Sequence, residues 1–432
     1  MNTTLLLIVI ILFFLFIETP LFTVIAALSI VCLYFVEHDW LSLQMILIEL
    51  NRLATVPVLV ALPLFTFVGC LLTETQSPKR IMNCMQAAFG WLPGGMAMAA
   101  VGACVFFGAL TGASGVTIVA LGGILYPILL QNRNPETFSL GLLTTSGSLG
   151  LLFPPSLPII LYGVVAQVPI QDIFKAALLP GILSVGLVAA YIILHHYFLH
   201  GGAEPRQMTA GFSGRELIRR LWEASWDWPI LIIIIVGVYG GYVTIAEVAA
   251  IVVIYVILVA CFLKREVKFF SRLPAIVIES VVLSGAIIVI LGIALGFTGF
   301  LIDEQIPDRL LTLLTRLTDN RYLFLAGLNL FLLVVGCIMD IFSAIIIIVP
   351  IIAPIARTYG VDPIQLCIIF LVNLEIGYST PPVGMNLFIA SLRFEKPVGM
   401  IYRATWPYLV LMFVVLALVT YLPDISLVLL SR

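Results

Sequence analysis

The sequence predicts an all-α polytopic membrane protein, with about 10 transmembrane helices plus two re-entrant hairpins set in inverted repeats. Three observations carry this: too little charge for a water-soluble surface, apolar runs along the whole chain, and a self-alignment in which helix-breaking residues coincide. Of 432 residues, 62% are hydrophobic and 10% charged, against about 25% charged in soluble domains. Runs such as Ile230 to Ile235 and Ile251 to Leu263 recur throughout, and only a bilayer solvates that much lipid-like side chain. A net charge of −2 with no clustered basic face excludes a nucleic-acid partner. The seven cysteines are scattered and form no C-x-x-C pair, so neither a metal centre nor a redox centre is expected.

In chain order, spans are expected near 4–17, 21–36, 56–74, 138–166, 175–198, 228–241, 244–263, 273–300, 363–392 and 404–427. The first follows no basic n-region and meets no small-residue cleavage site, so it is expected to be a retained membrane segment. Two further stretches, 91–130 and 321–357, are interrupted midway by Gly108-Ala-Leu-Thr-Gly-Ala-Ser-Gly115 and by Gly336-Cys-Ile-Met-Asp-Ile-Phe-Ser343. Both are expected to be re-entrant hairpins. With that assignment 14 of the 21 Lys and Arg fall on one side, including Lys79, Arg80, the 206–220 and 264–272 groups, Arg393 and Lys396. The excess places that side in the cytoplasm and both chain ends outside it.

A shift of 227 residues brings Pro127 onto Pro354, Gly150 onto Gly377, Pro154-Pro155 onto Pro381-Pro382 and Pro180 onto Pro407. Each copy reads hairpin, helix broken at Pro-Pro, long final helix. Five full spans separate the hairpins, so the copies are inverted. The implied division is 1–74 as N-terminal scaffold, 75–198 as first repeat, 199–300 as a loop with central scaffold helices, and 301–432 as second repeat. Inverted repeats with broken helices near the midplane are a recurrent build of secondary transporters. Carbonyls freed at a break suit Na⁺, and half-helix N-termini suit a carboxylate.

The tip Thr111 to Gly115 is expected to face the break Thr144 to Ser156, and Asp340 with Ser343 to face the segment Asn373 to Asn386. Their hydroxyl and amide groups make Thr111, Ser148, Ser156, Ser343 and Asn386 candidate substrate contacts. Pro154, Pro155, Pro381 and Pro382 are read as holding the breaks open. Small residues in membrane helices equally serve close packing, and Glu375 is read as a pairing partner inside the bundle. An acid at the tip of a membrane hairpin, such as Asp340, is expensive unless paired or functional. His195, His196 and His200 have no acidic or Cys partner in sequence and are read as interfacial. Trp222, Trp226 and Trp228, flanked by arginines, fit an interfacial amphipathic helix. The Gly112-Ala-Ser-Gly115 segment lacks a base to activate its serine, so no enzyme is expected.

The tip G-A-x-x-G-x-S-G with A-L-G-x-I-L-x-P (108–127), the run from Ser148 to Ser156, and G-x-x-T-P-P-V-G-x-N-L-F (377–388) resemble the DctM-like large membrane subunit of tripartite ATP-independent periplasmic (TRAP) transporters. The likeness extends over nearly the whole chain. It implies sodium-coupled uptake of a small organic acid, such as a C4-dicarboxylate, sialic acid or keto acid, by an elevator movement in a bacterial inner membrane. It also implies a periplasmic substrate-binding protein and a small four-helix membrane subunit. Because the chain starts at the first large-subunit span, that small subunit is expected as a separate chain. By the family's pattern one sodium site lies at Gly112, Ser114, Ser146 and Gly150, and a second near Asp340, Asn373, Gly377 and Thr380. Sodium ions are expected as coupling ions, with no other cofactor. Rival readings are a single-component sodium/dicarboxylate symporter and, from another class, a channel or membrane scaffold.

Overall fold

Where the chain is continuously apolar it forms long helices, and where small residues and prolines interrupt it the helices break. The computed structural model describes residues 55–200, 213–240, 243–303, 320–381 and 384–430, with isolated positions elsewhere. The expected spans near 4–17 and 21–36, together with Pro382, lie outside the described residues. Among the described residues six helices are long and apolar enough to cross a membrane, or up to nine if each bent pair is one span.

Helix α1 (Ala61–Thr73) follows a 3₁₀ turn, Pro57–Val60, with proline in the first turn, where no N–H is needed. After α2 (Ser77–Phe89) comes the first hairpin, α3 (Gly95–Thr111) and α4 (Ser114–Gln131). Its turn is two residues, with Gly112 at φ +64°, a left-handed conformation that glycine adopts without penalty. The expected span 138–166 is instead α5 (Glu136–Leu149), a 3₁₀ turn (Gly150–Leu152) and α6 (Leu157–Ala166), bent by 45°. Next come α7 (Ile170–His200), α8 (Gly214–Glu223), α9 (Trp228–Tyr239), α10 (Ile245–Ile257, continued by a π-helical turn, Leu258–Leu263) and α11 (Leu273–Asp303). A capping box of Thr244 and Glu247 starts α10.

The second hairpin is α12 (Arg321–Ile338) and α13 (Ile341–Thr358), turning through Met339 and Asp340. The second broken helix is α14 (Pro363–Gly377) and α15 (Met385–Phe394). The chain then runs through α16 (Val398–Tyr421) and the short α17 (Asp424–Leu427). The 227-residue register reappears at the tips, since Ala113 and Asp340 both precede the second helix of their hairpin in extended conformation. The copies interlock. In the first, α5 lies along α16 of the second: a Cβ on Gly141 would sit within contact of the Ala404 main chain, and the Tyr408 hydroxyl donates to Phe138 O at 3.1 Å.

Two helices run across the others. The junction of α1 with α2 bends by 76° and that of α8 with α9 by 80°, and α2 packs on α8. Both are amphipathic, as befits helices lying in the bilayer interface. The interfacial helix expected around Trp222–Trp228 begins earlier, at Gly214, with Trp222 exposed on it; α2 was not expected. His195 stacks on the Phe138 ring, 4.4 Å between centroids.

Beneath these helices Arg80 Nε donates to Asp227 Oδ2 at 2.7 Å and Nη1 to Glu266 Oε1 at 2.5 Å, and Ser77 Oγ donates to Asp227 Oδ1 at 2.5 Å. Three segments that the charge count assigned to one side thus meet. Lys396 Nζ likewise lies 2.6 Å from Glu136 Oε1, to which the Tyr126 hydroxyl donates at 2.8 Å.

Arg80→Ala strands two carboxylates whose side chains are 4% and 13% exposed. Melting of the purified protein is expected to register a loss of about 3–5 kcal/mol, with R80M/D227N/E266Q regaining most of it. Hydrogen bonds from Lys396 and Tyr126 hold the Glu136 carboxyl below its ordinary range. Its contribution is therefore present above the ordinary carboxylate range and lost as pH falls through the lowered value. Melting curves of wild type and Glu136→Gln should differ at neutral pH and converge on acidification.

Candidate functional site

Each hairpin tip is held inside the protein by a glycine-to-glycine crossing with its own broken helix. A methyl carbon added to Gly150 would lie 2.6 Å from Ala109 N and 2.7 Å from Gly108 Cα. In the second copy a methyl on Gly377 would lie 2.5 Å from Gly336 C and 2.6 Å from its Cα. Only the absence of a side chain lets the main chains approach so closely. The two glycines picked out by the repeat are therefore packing points in this structure.

Between the tips lies a cavity of about 630 Å³. Gly112 to Ser114 reach it from the first tip and Asp340 to Phe342 from the second, with Tyr378 at the second break. Glu74, at the end of α1, and Glu279, on α11, line it from outside the repeats. Among the described residues its lining includes three carboxylates and no Lys, Arg or His. Two of those carboxylates are engaged. Glu74 Oε2 lies 2.9 Å from Arg272 Nη2, and Asp340 caps α13, accepting from Ser343 N at 3.0 Å and from Ser343 Oγ at 2.5 Å.

Ser114 links the copies, since its hydroxyl donates to Asn386 Oδ1 at 2.8 Å. Asn386 N in turn donates to Tyr378 O at 3.1 Å, and Gly384 N to Cys337 O at 3.3 Å, which stitches the second break to its hairpin. Thr111 Oγ1 lies behind the first tip, 3.1 Å from Thr117 Oγ1. Ser148 Oγ donates to Thr145 O at 2.9 Å and Thr380 Oγ1 to Ile376 O at 2.7 Å. Asn373 Nδ2 donates to Asn329 Oδ1 at 2.9 Å and to Ile369 O at 2.8 Å.

Among the described residues, buried polar atoms without a hydrogen-bond partner gather at both breaks. They are Thr145 Oγ1, Ser146 Oγ and Ser156 Oγ in the first, and Asn373 Oδ1, both Glu375 carboxylate oxygens, Ser379 Oγ and Asn386 Nδ2 in the second. Buried polar groups are ordinarily satisfied, so such a concentration requires an explanation. Oxygens of this kind are the ligands that hard cations take.

Of the residues singled out in the sequence, Gly112, Ser114 and Asp340 are brought to one cavity. Ser146, Gly150, Asn373, Gly377 and Thr380 lie in the helix crossings beside it, and Pro154, Pro155 and Pro381 stand in the breaks. Glu375 has no pairing partner among the described residues. Sequence reasoning missed Glu279 and Asn329. Glu279 carries the one charge in the run from Leu273 to Ile293, and Asn329 interrupts the apolar α12. Each had a visible signal.

The chain matches, over residues 8–425, the family described as tripartite ATP-independent periplasmic transporter, DctM component. It is 34% identical to the C4-dicarboxylate TRAP transporter large permease protein DctM of Pseudomonas aeruginosa, covering 90% of each chain. It is 29% identical to the ectoine/5-hydroxyectoine TRAP transporter large permease protein UehC of Ruegeria pomeroyi, covering 85% of each. A similar fold occurs in the crystal structure of the YdaH transporter of Alcanivorax borkumensis, with a TM-score of 0.61 at 14% identity over 88% of this chain and 87% of that one.

Gly150→Ala and Gly377→Ala force a methyl group onto main-chain atoms and should each cost about 1–3 kcal/mol or more, read as lower melting temperatures. Ser114→Ala leaves Asn386 Oδ1 without its donor. The expected loss is about 1–3 kcal/mol, together with faster proteolysis near the second break.

Proposed function

Because this chain belongs to the DctM component family of the tripartite ATP-independent periplasmic transporters, we propose that it is the large permease subunit of a sodium-driven importer of a small organic acid. The family is one of transporter subunits, not enzymes. One observation supports the coupling: a cavity bounded by the tips of both copies and lined, among the described residues, by carboxylates with no basic side chain. An acid entering such a cavity gains nothing from fixed cations. It needs mobile cations beside it, and the unpartnered oxygens at the two breaks are suited to hold them. Sodium here is cargo, bound and released with the solute.

The position of the site supports a reading of the direction and manner of movement. Gly69, near the end of α1, is in main-chain contact range of Thr111, and Glu74 at that end faces the tips. The same end carries the Arg80 cluster, on the side rich in Lys and Arg. In our reading this side is the cytoplasm, the site is open inward, and the chain ends are periplasmic. The hairpins, breaks and α15 move together, joined by Ser114 and Asn386, past α1 and α11 as an elevator. A periplasmic binding protein delivers the acid and a small membrane subunit braces the scaffold. The named relatives differ in solute, so the choice among acids rests in large part with the binding protein.

In proteoliposomes holding this chain, its small subunit and its binding protein, an inward sodium gradient should drive saturable, concentrative uptake of the acid. Uptake that persists without the binding protein would favour a self-sufficient symporter, and uptake indifferent to sodium would refute the coupling. Ser114→Ala and Asp340→Ala should each weaken the sodium dependence. A phosphatase fused to the C-terminus should be active in the periplasm.

A further inference from the structure

Glu279 stands apart from the machinery described above. It lies on α11 about 9 Å from that helix's start, the lone charge in the apolar run from Leu273 to Ile293. It is exposed and lines the cavity facing both hairpin tips. A charged residue within a membrane span is costly, and such residues face a water-filled path and serve a function there. Among the described residues it has neither an ion-pair nor a hydrogen-bond partner. Its two neighbours on the cavity wall differ in this respect, since Arg272 neutralises Glu74 and the Asp340 oxygens cap α13.

An unpaired carboxylate biases the potential of a cavity walled by low-dielectric protein and lipid, because those walls focus its field onto the water between them. Among the described residues no Lys, Arg or His contributes to the lining to offset it. The bias acts on whatever is released between the tips. It favours cations and disfavours each further negative charge on a solute.

We propose that Glu279 is a charge-selectivity residue of the cavity, a fixed carboxylate that favours solutes with a single negative charge, or a compensating positive group, over dianions. It touches the solute's path from a helix outside both repeats, so it acts on the solute while the tips face α11. Only the word solute rests on the transport reading; the potential is a property of the chain itself.

The test reads that potential without gradient, binding protein or substrate. Met385 lines the same cavity and is 39% exposed, so Met385→Cys, in a chain whose half-buried Cys70 is replaced by Ser, offers a thiol there. Its reaction rates with a trimethylammonium-ethyl and a sulfonato-ethyl methanethiosulfonate are compared with those of a small free thiol. The cationic reagent should be favoured by roughly tenfold, the size of an unscreened charge effect at cavity distances. Glu279→Gln should bring the ratio toward that of the free thiol, while the double variant E74Q/R272Q, which removes both members of a neutral pair, should move it less. A ratio unchanged by Glu279→Gln overturns the proposal, and so does a larger effect of E74Q/R272Q. In the reconstituted complex, Glu279→Gln should raise succinate uptake relative to that of a monoanion, and an unaltered preference also counts against it. Because the thiol reaction needs no uptake, its failure is distinguishable from failure of the transport reading.

Discussion

A bilayer offers the main chain no hydrogen-bond partner, and this constraint shapes every unusual feature of the fold. A helix may stop inside the membrane only where protein or a cavity receives the exposed amides and carbonyls. The chain meets this need twice in the same way. A hairpin tip is pressed against a break, glycine on glycine, at Gly108 with Gly150 and at Gly336 with Gly377. The crossings exclude lipid from the broken segments and leave the tips free to face one shared cavity.

That cavity joins two kinds of structure. The tips and breaks supply main chain and hydroxyls, and the link from Ser114 to Asn386 makes the two copies one unit. Helices α1 and α11 supply Glu74 and Glu279 from outside that unit. Oxygen-rich tips that include Asp340 on one wall, and Glu74 and Glu279 on the other, describe a chamber that suits an acid in the company of cations.

The in-plane helices answer a separate need. The amphipathic α2 and α8 lie on each other above a buried cluster of Arg80, Asp227 and Glu266, which ties three distant segments together at one interface. The cluster gives the buried Asp227 carboxylate hydrogen bonds from both Ser77 and Arg80, partners that a buried ion pair needs to offset its desolvation.

What the sequence determined by itself was local and periodic: the apolar runs, the hairpin interruptions at Gly112 and Met339–Asp340, the breaks before Pro154-Pro155 and Pro381, and the register that relates the copies. These are legible because helix length, proline and glycine act within a few residues of where they stand. Tertiary structure decided what those features meet. Gly150 and Gly377 became crossing points, Asp340 became a helix cap, Glu375 has no partner among the described residues, and Ser114 found a partner 272 residues away. Glu279 became a wall of the cavity although no motif contains it. Such contacts depend on where whole helices lie relative to one another, and no spacing along a single helix encodes that.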